Sequence, residues 1–372
     1  MARTKVFLVG AGKIGRAIAA FLTHSGDYAV TVGDSNAAAL PALGGHCAGT
    51  VHLDVHDRRA LELALAGHDI VVNAAPFTLT VAIAGAAHAV GAHYFDLTED
   101  VASTRFVKEL AETAATAFVP QCGLAPGFVS IVAGDLAKRF DRLDELKLRV
   151  GALPRYPSNA LKYNLTWSVD GLINEYCNPC EAVVDGERRT ADALEGRETL
   201  VIDGVEYEAF NTSGGLGTLA DTLEGRVRTL NYRTIRYPGH VEILRLLLND
   251  LKLRDRRDLL KQVLEAAVPA TLQDVVVVFV TAAGHRGGAL VQDSFATRVL
   301  GREIQGQAWG AIQITTAAGV CAMVDLLRSG VLPRRGLVRQ EQVDLATFLD
   351  NRFGQLFRPE PAVSGGNARA AA

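Results

Sequence analysis

The stretch Val6-Phe7-Leu8-Val9-Gly10-Ala11-Gly12-Lys13-Ile14-Gly15 decides the fold of this 372-residue chain. An apolar, strand-like run leads directly into a G-x-G-x-x-G turn, which opens a segment with helical periodicity. Gly10 permits the tight turn, Gly12 lets the backbone approach a pyrophosphate, and Gly15 allows close helix–strand packing. Free N–H groups at the start of the helix attract the anion. The stretch therefore predicts a Rossmann domain that holds a dinucleotide.

Strand-like and helix-like runs alternate along the first 125 residues. The predicted strands are residues 5–10, 29–34, 50–54, 69–75, 93–97 and 117–122. The predicted helices are residues 13–25, 57–66, 80–91 and 100–115. This alternation is typical of a parallel sheet with helices on both faces, and six strands make a full Rossmann count.

The pattern changes after Cys122, where Gly-Leu-Ala-Pro-Gly at residues 123–127 indicates a turn. Strands and helices no longer alternate strictly beyond it, which favours an α+β domain. The apolar run at residues 308–327 is interrupted by polar residues such as Gln313 and Asp325, so we interpret it as a buried helix rather than a membrane span.

The sequence thus predicts an α/β protein with four segments. These are residues 1–125, a Rossmann domain with a doubly wound parallel sheet; 126–305, an inserted α+β domain for substrate binding and dimerisation; 306–358, a C-terminal helix and extension that pack back on the Rossmann domain; and 359–372, a disordered tail.

Composition excludes several classes of protein. With 49% hydrophobic and 21% charged residues and a net charge of −3, the chain has no broad field for nucleic acid or an anionic membrane. The N-terminus lacks the pattern of a secretory signal, so we expect a cytoplasmic location. Five cysteines do not make a disulfide framework, and Cys177-x-x-Cys180 has no second pair for zinc, so no metal site is expected.

The second predicted strand ends in Asp34, 19 residues after Gly15. A carboxylate at this place accepts hydrogen bonds from the adenosine ribose and repels a 2′-phosphate. Its neighbours Ser35 and Asn36 include no arginine that would neutralise such a phosphate. NAD is therefore favoured over NADP.

Three further strand ends face the same edge of the predicted sheet, where ligands of open α/β folds bind. Asp54-Val55 is expected to border the adenine, Asp96-Leu97-Thr98-Glu99 closes the fifth strand, and residues 73–76 either leave room for the cofactor or form a simple strand-end turn. The predicted cofactor contacts are Gly10, Gly12, Lys13, Ile14, Gly15, Asp34, Ser35, Asp54, Val55, Asn73, Ala74, Ala75, Pro76, Leu97 and Thr98.

Four of these motifs together resemble the saccharopine dehydrogenase family. They are Gly10–Gly15, Asn73-Ala74-Ala75-Pro76, Asp96-Leu97 and Gly123-Leu124-Ala125-Pro126-Gly127. Beyond the first domain, residues 161–172, 208–215 and 232–240 are most similar to lysine 6-dehydrogenases. The resemblance implies oxidation of a C–N bond of a lysine-derived substrate, which lies between the Rossmann domain and an α/β domain. Saccharopine reductases commonly carry a carboxylate where this chain has Ala125, which disfavours saccharopine as the substrate.

Such a reaction suggests roles for individual residues. Arg236 offers a fork for the substrate α-carboxylate, with Tyr163, Asn211, Thr212 and Ser213 as further substrate contacts. His240 is the first candidate for the base that deprotonates the ε-amine, followed by Glu99 and Asp96. The alternatives are a structural ion pair for Arg236, ordinary core packing for Tyr163, and a capping or structural role for His240.

We expect an NAD-dependent enzyme whose partner is a small amino-acid substrate, without nucleic acid or membrane contacts. The alternatives are a saccharopine or carboxynorspermidine dehydrogenase or reductase, and a non-catalytic NAD-binding sensor. The hairpin-like segment at residues 274–300 offers a long strand edge, which favours a homodimer.

Overall fold

A parallel sheet forms the first part of the chain in the computed structural model, which describes residues 2–358. Its strands are β1 (Thr4–Val9), β2 (Tyr28–Asp34), β3 (Gly49–His52), β4 (Ile70–Asn73), β5 (His93–Asp96) and β6 (Ala117–Val119). Helices α1 (Lys13–His24), α2 (Arg58–Leu65), α3 (Thr80–Val90) and α4 (Val101–Thr113) connect them. The order β6-β5-β4-β1-β2-β3 confirms the Rossmann prediction. Strand β6 ends three residues earlier than predicted, before Pro120, which cannot donate to a strand ladder.

The second sheet is mixed and follows helix α5 (Phe128–Ala137). Its strands are β7 (Arg142–Pro154), β8 (Cys180–Val184), β9 (Glu187–Ala191), β10 (Glu198–Ile202), β11 (Val205–Asn211), β12 (Val227–Arg236), β13 (Asp274–Arg286) and β14 (Ala289–Leu300). The order is β10-β11-β12-β7-β13-β14, with β8 pairing with β12 and with β9. Helices α6 (Val169–Cys177), α7 (Leu219–Leu223), α8 (His240–Arg245) and α9 (Arg257–Ala267) accompany the sheet.

Strands β13 and β14 form a hairpin with a two-residue turn. Strand β13 continues to Arg286, so only Gly287 and Gly288 form the turn, with φ angles of +58° and +83°. Positive φ at both central residues is what a two-residue hairpin turn of the I′ type requires. Helix α8 ends at Arg245, and a π-type turn, Leu246–Asp250, follows it.

The C-terminal part returns to the Rossmann domain through the hairpin β15 (Arg302–Ile304) and β16 (Gln307–Trp309), helix α10 (Ala311–Arg328), strand β17 (Gly336–Leu337) and helix α11 (Leu345–Asp350). Helix α10 packs on α1, Tyr28 donates a 2.6 Å hydrogen bond to Asp325, and β17 pairs with β6 as a seventh parallel strand. Short 3₁₀ turns lie at Ala37–Ala39, Pro41–Leu43, Phe77–Leu79, Leu253–Asp255, Gln340–Gln342 and Gly354–Phe357.

Helix α10 is long and apolar enough to cross a membrane by length and composition alone, yet 89% of that stretch is buried inside the protein. It belongs to the main apolar core, between the two sheets and together with α5. The interpretation of a buried helix is confirmed. The four domain boundaries stay predictions, and the tail at residues 359–372 lies outside the described residues.

Candidate active site

A cleft of about 1040 Å³, partly open to solvent, lies between the carboxyl edge of the Rossmann sheet and the second sheet. The ends of β4 and β5 form one wall, and β7, α6 and β12 form the other. Residues that line it are Ile14, Ala74, Ala75, Pro76, Phe77, Leu97, Thr98, Glu99, Gly123, Leu124, Ala125, Pro126, Val150, Ala152, Trp167, Ser168, Gly171, Glu175, Tyr232, Thr234, Arg236, Ile312 and Thr316. A ligand between a Rossmann edge and a second domain would occupy this space.

The glycine loop fits a dinucleotide pyrophosphate. Gly10 has φ +107°, and a Cβ there would lie 2.8 Å from the Ala74 carbonyl oxygen. A Cβ on Gly15 would lie 1.9 Å from the Gly10 carbonyl oxygen, so only glycine allows this approach of helix to loop. Gly12, in contrast, faces open space, and it begins α1 without a capping side chain. The N–H groups of Lys13 and Ile14 in the first turn are thus placed to hold an anion.

Asp34 lies beside this loop at the end of β2. Its Oδ2 accepts a hydrogen bond from the Ala11 N–H at 2.6 Å, and its Oδ1 accepts one from the Asn36 N–H at 2.7 Å. Both contacts fix the carboxylate where an adenosine ribose is expected. The Ser35 carbonyl oxygen lies 3.0 Å from His52 Nε2.

The third strand end has a local structural role. The Asp54 carboxylate accepts the His56 N–H at 2.9 Å, and Val55 is buried in an apolar cluster. Neither residue lines the cleft, so their contact with the adenine stays a prediction.

Asn73 closes β4 with its side chain turned away from the cleft. Its Nδ2 donates to Thr80 Oγ1 at 3.3 Å and to the Tyr94 hydroxyl at 3.1 Å, while its Oδ1 accepts the Ala75 N–H at 3.0 Å. Asn73 therefore holds the turn, whereas Ala74, Ala75 and Pro76 line the cleft. The interpretation as a strand-end turn therefore fits Asn73, and the interpretation as space for the cofactor fits the three residues that follow.

Asp96 at the end of β5 is fully buried and does not line the cleft. Its Oδ1 accepts the Thr98 N–H at 3.1 Å and the Gln121 N–H at 2.8 Å, so it ties two strand ends together. Burial raises the pKa of this carboxyl to about 6. Asp96 thus shapes the loop, while Leu97, Thr98 and Glu99 line the cleft.

Two carboxylates line the cleft, one from each wall. Burial raises the pKa of Glu99 to about 7, and the neighbouring charges of Asp100 and Asp96 add to the effect. Burial also raises the pKa of Glu175 to about 8, although the positive charge of Arg236 opposes the change. The Glu175 carboxylate has no hydrogen-bond or ion-pair partner within residues 2–358, so it is free to meet a ligand.

Arg236 is the cation of the cleft and is 3% exposed. Its Nε donates to the Tyr176 hydroxyl at 2.8 Å, and its Nη1 donates to the Ile235 carbonyl oxygen at 2.8 Å. The guanidinium carbon lies 5.0 Å from the centre of the Tyr163 ring. Nη2 makes no hydrogen bond to the described part of the chain, so it can receive an anion from the cleft.

The placement of His240 does not fit the role of general base. The side chain is 2% exposed and lies in an interior apolar cavity rather than in the cleft. Burial and the charge of Arg236 lower its pKa to about 3. Helix α8 begins inside an apolar cluster, and Tyr176 lies between the imidazole and Arg236. The sequence shows only a turn before a helix, so it could not reveal that His240 is buried.

The other predicted substrate contacts also lie outside the cleft lining. Tyr163 supports the Arg236 guanidinium from beneath, Asn211 Nδ2 donates to the Asp192 carbonyl oxygen at 3.4 Å, and Ser213 Oγ donates to the Pro179 carbonyl oxygen at 2.8 Å. Thr212 is buried. Of the predicted substrate set, the fold brings only Arg236 to the cleft, while Glu175 and Thr234 were missed.

All five cysteines are free, and Cys177 and Cys180 are buried on either side of the end of α6. Within residues 2–358, no group of three or more His, Cys, Asp or Glu side chains is arranged to hold a metal ion.

Two family models match the chain. The saccharopine dehydrogenase NADP binding domain covers residues 6–119, and the saccharopine dehydrogenase C-terminal domain covers residues 123–355. Among solved structures, apo saccharopine dehydrogenase (L-Glu forming) from Saccharomyces cerevisiae matches with a TM-score of 0.77 at 17% identity, over 93% of this chain and 97% of that chain. A myo-inositol dehydrogenase from Corynebacterium glutamicum matches with a TM-score of 0.42 at 12% identity, over 90% of each chain.

Proposed function

The chain belongs to the saccharopine dehydrogenase family, and we propose that it is an NAD-dependent dehydrogenase that oxidises the ε C–N bond of lysine or a closely related diamino acid. The observation that carries the proposal is the charge set of the cleft, where Arg236 lies together with Glu99 and Glu175. The glycine loop supplies the dinucleotide site at the same edge of the sheet.

The charges of the cleft complement those of lysine. Lysine carries one carboxylate and two ammonium groups, and the cleft presents one guanidinium and two carboxyl groups, which become negatively charged above about pH 7 for Glu99 and pH 8 for Glu175. Saccharopine carries three carboxylates and needs more cations to hold them. Among residues 2–358, Arg236 is the only lysine or arginine that lines the cleft, which favours a lysine-like substrate.

The substrate orientation follows from the wall that each group occupies. Arg236 and Glu175 belong to the second domain, where they are suited to hold the α-carboxylate and the α-ammonium group. Glu99 directly follows Leu97 and Thr98 on the Rossmann side, at the end of β5. The ε-carbon would then point toward the carboxyl edge of the Rossmann sheet.

The reaction needs a base because the lysine ε-ammonium has a pKa near 10.4. Glu99 becomes ionised above about pH 7 and is placed to accept that proton. When bound, the nicotinamide supplies the acceptor for the hydride that leaves the ε-carbon with the electron pair of its C–H bond. Water hydrolyses the resulting substrate imine to an aldehyde, or the α-amine attacks the imine carbon and closes a ring; the ε-nitrogen leaves as ammonia in both cases.

Asp34 supports NAD as the cofactor. Its carboxylate repels a 2′-phosphate, and the neighbouring Ser35 and Asn36 bring no positive charge. Because the matching family model is described as NADP binding, the preference is tested by measuring kcat/KM with each cofactor, and we expect the higher value with NAD.

The purified chain is incubated with NAD and either L-lysine or saccharopine, and NADH formation is followed by absorbance. We expect turnover with L-lysine and little with saccharopine. Turnover with saccharopine alone would overturn the substrate proposal. Coupling of an aldehyde to an amine with NADPH consumption would instead identify a carboxynorspermidine reductase, and NAD binding without turnover on any amine would identify a sensor.

The assembly and location are part of the same proposal. Strand β14 lies at one end of the second sheet, and its outer edge pairs with no other strand within residues 2–358, so a second copy can pair with it or cover it in a homodimer. Analytical ultracentrifugation is expected to give twice the 39.6 kDa chain mass. We also propose a cytoplasmic location, which suits five free thiols.

A further inference from the structure

A chain of three hydrogen bonds runs from the cleft into the core of the second domain. Arg236 Nε lies 2.8 Å from the Tyr176 hydroxyl, which lies 3.1 Å from His240 Nε2. On the other side of the imidazole, Nδ1 lies 2.8 Å from the Leu161 carbonyl oxygen. Arg236 is thereby connected to a backbone group of a distant segment.

In each of these three hydrogen bonds, only one of the two groups can be the donor. The Leu161 carbonyl can only accept, so His240 Nδ1 carries the hydrogen. The other nitrogen of a neutral imidazole bears none, so Nε2 accepts from the Tyr176 hydroxyl. The tyrosine oxygen is then left to accept the N–H of Arg236 Nε, which can only donate.

The surroundings keep this arrangement in a single state. The cavity around His240 is lined mostly by leucine side chains, among them Leu161, Leu172, Leu244 and Leu264. These side chains offer little that could replace a broken link, and a buried polar group without a partner is costly. Burial also keeps the imidazole neutral, since it lowers the pKa of His240 to about 3.

The guanidinium plane is held from a second direction. Tyr163 lies beneath it at 5.0 Å, and the Tyr163 hydroxyl accepts a 3.0 Å hydrogen bond from Trp167 Nε1. Together with the bond from Nη1 to the Ile235 carbonyl oxygen, two edges and one face of the guanidinium are fixed. Nη2 makes none of these contacts and is available to a ligand in the cleft. The guanidinium is thus already oriented for binding a carboxylate, either bidentate or end-on.

We propose that Tyr176 and His240 are positioning residues, which hold the Arg236 guanidinium in the orientation that receives the α-carboxylate of an amino-acid substrate. The inference rests on the proposed function for the identity of the ligand. His240 therefore contributes to substrate affinity through Arg236 and takes no proton during the reaction.

The main test is Tyr176→Phe, which keeps the ring and removes the link. In the complex with NADH, which accepts no hydride, the Kd for L-lysine should rise roughly tenfold, and kcat with NAD at saturating lysine should change by less than about twofold. Tyr207→Phe is the matched control, because Tyr207 is equally buried but belongs to a separate apolar cluster. It should leave the Kd unchanged.

A double-mutant cycle separates positioning from general packing. In an Arg236→Met background, addition of Tyr176→Phe should change the Kd for L-lysine by less than about twofold, because the tyrosine acts only through the arginine. An equal further loss in both backgrounds would overturn the proposal.

The variant His240→Asn keeps a donor for the Leu161 carbonyl oxygen but places no acceptor where Nε2 accepts the Tyr176 hydroxyl. It should therefore likewise raise the KM for L-lysine. A large fall in kcat with unchanged KM would restore His240 as the base.

A spectroscopic measurement tests the series of hydrogen bonds from Arg236 to Leu161 and does not require turnover. Nitrogen NMR of His240 should show a proton on Nδ1, none on Nε2, and no titration between pH 5 and pH 9. Protonation in that interval would overturn the proposal. If the NMR pattern is found but L-lysine neither binds nor is oxidised, the proposed substrate is wrong while the chain of hydrogen bonds stands.

Discussion

The glycine loop of the Rossmann domain and the arginine site of the second domain are built in opposite ways. The loop consists of contiguous backbone between Gly10 and Gly15, and what matters is the absence of side chains. The arginine site combines side chains from β12, α6, α8 and the segment before α6. A backbone site is specified locally, whereas a side-chain site depends on contacts between distant parts of the chain.

The proposed base, Glu99, lies on the Rossmann wall of the cleft between these two sites, and its replacement should show the largest effect. Replacing Glu99 by Gln should lower kcat by about 10²- to 10⁴-fold, because the amide cannot accept the substrate proton. In the unchanged enzyme kcat/KM should rise with pH through about 7, where Glu99 becomes ionised, and the variant should lose this rise. Steady-state kinetics between pH 5.5 and 9 test both.

Exposed Glu112, which lies on helix α4 after Glu99, provides the control. Glu112→Gln should retain activity and its pH dependence, and NAD affinity should be the same in both variants. A Glu99→Gln enzyme with normal kcat would remove Glu99 from the reaction.

The carboxylate beside the glycine loop should show the next largest effect. Asp34→Asn removes the negative charge while keeping an acceptor for the Ala11 N–H, so the ratio of kcat/KM for NAD to that for NADP should fall by about 10- to 100-fold. Asp57→Asn, a change of the exposed cap of α2, serves as the control and should leave the ratio unchanged. An unchanged ratio in Asp34→Asn would contradict the role of Asp34.

Substitutions at two glycines of the loop distinguish an effect on NAD binding from an effect on stability. Gly12→Ala meets no atom of the protein within 4 Å, so it should leave the free energy of unfolding within about 1 kcal/mol and weaken NAD binding roughly tenfold, because the added methyl group occupies the space of the pyrophosphate. Gly15→Ala collides with the Gly10 carbonyl and should lower both stability and binding. Calorimetry and thermal melts distinguish the two, and a destabilised Gly12→Ala protein would contradict the assignment.

The smallest expected effect concerns stability at the arginine site. The pKa of Glu175 is raised to about 8 in the folded state, above the ordinary value near 4.3 that applies in the unfolded chain. Its contribution to the free energy of unfolding is therefore largest below about pH 4 and is lost as pH rises through 8.

Glu175→Gln should remove this loss and stabilise the free protein by about 1 kcal/mol at pH 9 relative to the unchanged chain. Thermal melts at pH 6 and pH 9 measure it, with exposed Glu206→Gln as the control. A variant that loses as much stability between these pH values as the unchanged chain would show that Glu175 is not buried in its charged form.

The sequence predicted the Rossmann strands and the glycine loop because their signals are local. It missed β17, since the two residues Gly336 and Leu337 carry no periodicity and pair only after the chain returns to β6. Glu175 was missed for a similar reason: it belongs to a mostly apolar helix, and only the packing of α6 turns it toward the cleft. The sequence left open whether His240 is the base or a structural residue, because its partners Leu161 and Tyr176 are 79 and 64 residues away.

The central claim is that the ε-carbon of lysine is oxidised while its α end is held by the second domain. Mass spectrometry of the reduced cofactor, after turnover with lysine deuterated at the ε-carbon or at the α-carbon, tests it most directly. The account predicts deuterium in NADH from the ε-labelled lysine only. Transfer of deuterium from the α-labelled lysine would contradict it.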